Sequence, residues 1–122
     1  MKLREVIEIL EAQVLCGENS VDGIEITNGY GADLMSDVLA FASPSVLLLT
    51  GLTNIQIFRT AQMLDIPAIV FVRGKKPQEN LLALAKESDM PILYTKKSMF
   101  DACGNLYVKG VQPCIIPDRQ GE

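Results

Sequence analysis

Three apolar runs limit what this chain can become: Val46-Leu47-Leu48-Leu49, Ala68-Ile69-Val70-Phe71-Val72 and Pro91-Ile92-Leu93-Tyr94. Each is the length of a strand and far short of the ~18 apolar residues that a membrane span needs. A strand without polar alternation is covered on both faces. The stretches between the runs have the apolar spacing of helices, and strands alternating with helices produce a parallel sheet. The expected fold is α/β, three-layered, with a mainly parallel sheet flanked by helices on both faces. A length of 122 residues and a hydrophobic share of 48% suit one such domain with a real core.

Local signals fill in the elements. Leu3, Val6, Ile7 and Leu10 form one helical stripe, predicting a helix over 2–11. Residues 13–16 read as a strand, 17–23 as a loop and 24–28 as a second strand, with Ile24 and Ile26 on one face. Asn28-Gly29-Tyr30-Gly31 reads as a turn, and Asp33 as the cap of a helix running through Ala42. In that helix Leu34, Met35, Val38, Leu39 and Phe41 occupy more than one face, which calls for burial on two sides, in a core or a subunit interface. Asn54 caps the next helix, which ends near Leu64. Pro77 opens another, reaching about Ser88. Ser98, with Asp101 three residues on, opens the last, and Gly110 ends it. The expected domain spans 1–110, and 111–122 form an irregular tail.

Composition removes several chemistries. The chain has no histidine, so it contains no Ser-His-Asp or Cys-His site. Cys16, Cys103 and Cys114 are an odd set without a CxxC pair, fitting buried thiols better than a disulfide or zinc site. A net charge of −4 without a basic stripe excludes nucleic acid as the expected partner. The amino-terminal stretch places acids within a helical pattern, where a signal peptide needs an uninterrupted apolar region. The expectation is a cytoplasmic protein with no membrane contact and no cofactor or metal.

In a parallel sheet the carboxyl ends of the strands share one edge, where ligands bind. The strand ends read from the sequence are Asn28-Gly29-Tyr30, Thr50-Gly51-Leu52-Thr53-Asn54, Arg73-Gly74-Lys75-Lys76 and Thr95-Lys96-Lys97-Ser98. Arg73, Lys75, Lys76, Lys96 and Lys97 are five of the chain's eleven Lys and Arg residues. Helix N-termini follow each loop and add free N–H groups. An otherwise acidic chain therefore presents a positive, hydroxyl-rich rim suited to an anion. Gly51 is not followed by GxxxxGK[ST], and Arg73-Gly74-Lys75-Lys76-Pro77 lacks the Ser or Thr of a P-loop. Asp33 and Asp37 lie at helical spacing, open to reading as an acid pair, magnesium ligands, or a cap and a solvated face.

The segments GYGADLMSDVLAFA, LLLTGLTNIQIFRTAQMLDIPAIVFVRGKKP and YTKKSMFDACGNLY resemble, in this order, the small stand-alone DRTGG-domain proteins. The likeness covers roughly residues 1–110. The same domain type occurs beside CBS domains and within long phosphate acetyltransferases, and it is related to the N-terminal domain of HPr kinase/phosphorylase. The resemblance implies a regulatory or ligand-sensing α/β domain, often dimeric. It does not imply a kinase. Where the family has an Asp-Arg pair after one strand and Thr-Gly-Gly after the next, this chain has Gly51-Leu52-Thr53-Asn54 and Val72-Arg73-Gly74. Both turn glycines are kept and the acid–base pair is not.

The function expected from these readings is a non-catalytic domain that binds a small anion, of the nucleotide or phosphorylated-metabolite class. The residues expected to bind it are Asn28, Gly29, Thr50, Gly51, Thr53, Asn54, Arg73, Gly74, Lys75, Thr95 and Ser98. Arg73 is expected to reach over the turn at Gly51, because the strands ending at Thr50 and Val72 are joined by one crossover and should be neighbours. A homodimer is expected. The alternative is a dimeric protein–protein interaction module without a ligand. A third reading, an enzyme using Asp33 or Asp37, has against it the lack of an activated nucleophile.

Overall fold

The computed structural model describes residues 1–114. Its strands are β1 (Gln13–Cys16), β2 (Asn28–Gly31), β3 (Leu47–Thr50), β4 (Ala68–Phe71), β5 (Ile92–Tyr94) and β6 (Gln112–Pro113). They form one sheet in the order β1-β5-β4-β3-β2-β6. The pairings from β5 across to β6 are parallel, and β1 runs antiparallel against β5. The helices are α1 (Leu3–Leu10), α2 (Glu18–Val21), α3 (Met35–Phe41), α4 (Ile55–Met63), α5 (Glu79–Ser88) and α6 (Met99–Val108).

Successive strand side chains point to opposite layers. Leu47, Leu49, Val70 and Leu93 pack with Leu3, Val6 and Leu10 of α1 and with Ala102 and Leu106 of α6. Leu48, Ile69, Phe71 and Ile92 pack with Val38 of α3, Ile57 and Phe58 of α4, and Leu81 of α5. The fold is thus the expected three-layer α/β arrangement. Every residue of β3 and β4 is buried. At about 1.5–3 kcal/mol for each large apolar side chain taken from water, these two strands anchor the sheet. Two of the predicted caps form: Asn54 Oδ1 accepts the Ile57 N–H at 3.3 Å, and Ser98 Oγ accepts the Asp101 N–H at 3.2 Å. Gly110, at φ 112°, follows the end of α6.

Several elements depart from the sequence reading. The second strand is not 24–28 but Asn28–Gly31; Glu25 makes only an isolated bridge with Lys2. The stretch read as a turn is therefore the strand itself. Its glycines serve close approach: a Cβ at Gly31 would lie 2.9 Å from Cys103 Sγ of α6. The expected loop at 17–23 contains α2. Asp33 does not cap α3, whose N-cap is Leu34, and α5 begins at Glu79, beyond Pro77. Of α3 only Val38 is buried, while Leu34 and Leu39 are 61% and 48% exposed, so one apolar side of this helix meets solvent instead of a second core. The first residues of the expected irregular tail pair with β2 as β6, with the Gln112 N–H donating to Thr27 O at 2.9 Å. Residues 115–122 of that tail lie outside the described residues.

Candidate functional site

Strands β2, β3, β4 and β5 run parallel, so the loops after Gly31, Thr50, Phe71 and Tyr94 meet on one edge. At the middle of that edge three residues from three loops converge. The guanidinium of Arg73 lies directly over the Cα of Gly51, occupying the space that a β-carbon there would need. Asp33 Oδ1 accepts the Gly51 N–H at 2.6 Å, and its Oδ2 stands 3.8 Å from Arg73 Nη2. Both charged side chains remain nearly half exposed.

The backbone holds Arg73 in an unusual conformation. Arg73 and Gly74 have φ of 65° and 68°, and the Lys75 N–H reaches back to Val72 O at 3.4 Å, closing a tight turn with left-handed central residues. Glycine adopts this conformation freely, whereas an arginine there is strained. Two bonds fix the turn to the neighbouring loop: Arg73 N–H to Lys97 O at 2.8 Å and Gly74 N–H to Thr95 O at 3.0 Å. The turn is held against its own preference, with its cation aimed over β3.

The structure divides the expected site residues. Gly51, Thr53, Arg73, Gly74 and Lys75 lie on the central rim, beside the first turn of α4, whose N–H groups have few helical partners. Lys75 and Gly74 are exposed, and Lys76 stands 5.5 Å from the Tyr94 ring centre. Thr50 is fully buried, and its hydroxyl accepts the Leu52 N–H at 3.1 Å. Thr95 is buried as well and donates to Leu10 O at 2.8 Å, satisfying a carbonyl at the end of α1. These two hydroxyls serve the fold. Asn54 and Ser98 are committed to their helix caps, and Ser98 opens α6 on the opposite layer from α4.

Asn28 and Gly29 are displaced from the site altogether. They start β2 instead of ending it, and Asn28 Nδ2 donates to Pro113 O at 2.9 Å. The shift of β2 toward the C-terminus puts Asp33, not Asn28, at the strand end. Asp37 lies within α3, where its backbone carbonyl accepts the Tyr30 hydroxyl at 3.4 Å, and among the described residues no group of three or more His, Cys, Asp or Glu is arranged to hold a metal. Burial pushes the thiols of Cys103 and Cys16 up from their ordinary range, with Glu18 adding to the effect at Cys16. Neither is poised as a nucleophile. No helix among the described residues is long and apolar enough to cross a membrane.

The family model described as the DRTGG domain matches residues 5–107. No curated protein matches the chain. Among solved structures the fold is similar to the CBS and DRTGG domains of the regulatory region of Clostridium perfringens pyrophosphatase, a structure complexed with its activator, diadenosine tetraphosphate. The TM-score is 0.70 at 15% identity, covering 98% of this chain and 51% of that one. The chain thus spans about half the length of that relative.

Proposed function

From the premise that the chain belongs to the DRTGG-domain family, we propose that it is a non-catalytic regulatory domain. It binds a small anion of the nucleotide or phosphorylated-metabolite class at the rim formed by Gly51, Thr53, Arg73, Gly74 and Lys75. The observation that carries this reading is the strained left-handed turn that aims the Arg73 guanidinium over Gly51. Strained backbone gathers at ligand clamps and switch regions, which makes this turn the place to test. The related regulatory region bound to diadenosine tetraphosphate makes a polyphosphate-bearing nucleotide the natural class to test. The three free thiols fit a reducing, cytoplasmic setting.

A thermal-shift screen of nucleotides and phosphorylated metabolites tests the reading. A ligand at 100 times its dissociation constant stabilises the native state by about 2.7 kcal/mol. A flat screen favours the second reading, a dimeric interaction module. Its support is the exposure of Leu34, Leu39, Phe100 and Tyr107, the last two flanking an apolar groove of about 440 Å³ between α6 and β2.

A further inference from the structure

The Asp33 carboxylate stands where the proposed anion would stand. One oxygen takes the Gly51 N–H at the end of β3, and the other faces the guanidinium carried by the loop after β4. Gly51 and Arg73 are both residues of the proposed rim. We propose that Asp33 is a built-in competitor: an incoming polyphosphate group replaces its carboxylate on Gly51 and Arg73, and the released Asp33 frees the entry to α3. The proposal rests on the anion reading of the rim and adds its regulation.

The exchange is chemically even, one anion for another, so Arg73 keeps a counter-charge in both states and is never left bare. Because Asp33 is tethered, it competes at a high effective concentration. A single phosphate group should therefore displace it poorly, and a chain of phosphates should do so well. The mechanical consequence follows from sequence adjacency. Leu34 is the N-cap of α3 and has no side-chain cap bond, so the bond from Asp33 to Gly51 holds this end of the helix, together with the Ala32 N–H to Leu49 O bond at 3.0 Å. The exposed Leu34 caps α3 and the exposed Leu39 lies within it. Release of Asp33 thus reaches an apolar surface directly, without a relay through the core.

Calorimetric titration of the intact chain with inorganic tripolyphosphate tests this. Asp33→Asn removes the charge yet keeps an acceptor for the Gly51 N–H, and it should bind about tenfold more tightly than wild type. Arg73→Ala should bind far more weakly. In the wild type, saturation should shift the methyl resonances of Leu34 and Leu39 while leaving those of Leu106, on the opposite layer, in place. Equal or weaker binding by Asp33→Asn, with wild-type binding that depends on Arg73, overturns the competitor and leaves the anion site standing. Unmoved Leu34 and Leu39 methyls overturn the coupling to α3. No binding by either wild type or Asp33→Asn overturns the site and the competitor together.

Discussion

The guanidinium of Arg73 lies so close over Gly51 that a single methyl group at position 51 would displace it. The obstructing atoms are the far end of a flexible side chain, so the fold can yield by swinging Arg73 aside. Gly51→Ala is therefore expected to leave the unfolding free energy nearly unchanged while weakening tripolyphosphate as much as loss of the arginine does. Urea denaturation and calorimetry on the same sample separate the two effects. Full affinity in this variant would mean that the contact has no role in binding.

Arg73 itself offers a sharper separation. A charge-assisted bond to arginine is worth about 1.5–3 kcal/mol, so Arg73→Ala should weaken an anionic ligand by roughly one to two decades. Thr53→Ala should weaken it less. Arg73→Gly relieves a left-handed backbone that costs a non-glycine residue about 1 kcal/mol or more. The exposed pair with Asp33 is worth only about 0.2–1 kcal/mol. Arg73→Gly should thus be as stable as wild type or more so, and defective in binding. A clear loss of stability would contradict the strain argument.

The buried hydroxyls should behave in the opposite way. Thr95→Val leaves Leu10 O without its donor at the end of α1, a loss of about 1–3 kcal/mol. Asn54→Ala removes a helix cap worth about 1 kcal/mol. Thr95→Val should lower the denaturation midpoint without changing tripolyphosphate affinity.

The thiols set an alkaline limit. Burial raises Cys103 above its ordinary value of 9.0, and Cys16 is raised in the same direction. The unfolded chain therefore loses these protons at lower pH than the folded chain. Their contribution to stability is full below pH 9.0 and is lost as pH rises through the folded values. The melting temperature should fall above that point, and Cys103→Ala, less stable at neutral pH, should lose less over the same rise.

The expectation of a homodimer rests on exposed apolar side chains at two places on opposite layers, Leu34 and Leu39 at α3 and Phe100, Tyr107 and Val108 on α6. Scattered apolar residues are ordinary on a monomer, but apolar side chains repeated along a helix mark a contact face. Sedimentation at micromolar concentration should give a homodimer. A clean 13.4 kDa species would overturn that expectation.

What could be read from the sequence divides along physical lines. The central strands were legible because continuous burial leaves an unbroken apolar run, as in β3 and β4. The caps at Asn54 and Ser98 were legible because they act within four residues. The reach of Arg73 over Gly51 was legible because it needed only neighbouring strands and a turn. β2 was misplaced because its signal is inverted: Asn28, Gly29, Tyr30 and Gly31 look like a turn, yet Gly31 admits α6 and Gly29 sits against Val111. That one shift hid Asp33, whose partners Gly51 and Arg73 lie on other loops. Thr50 and Thr95 could not be told from open ligand groups because their partners are backbone atoms, for Thr95 on a distant helix.

The complete burial of β3 and β4 has a consequence for how such a domain changes over evolutionary time. The strands that hold the rim in place contribute no exposed side chain to it, and the residues that face the solvent there belong to loops outside the core. If the rim binds a ligand as proposed, its preference can be rewritten one loop residue at a time without loosening the scaffold. A family built this way can keep one architecture while its rim loops diverge.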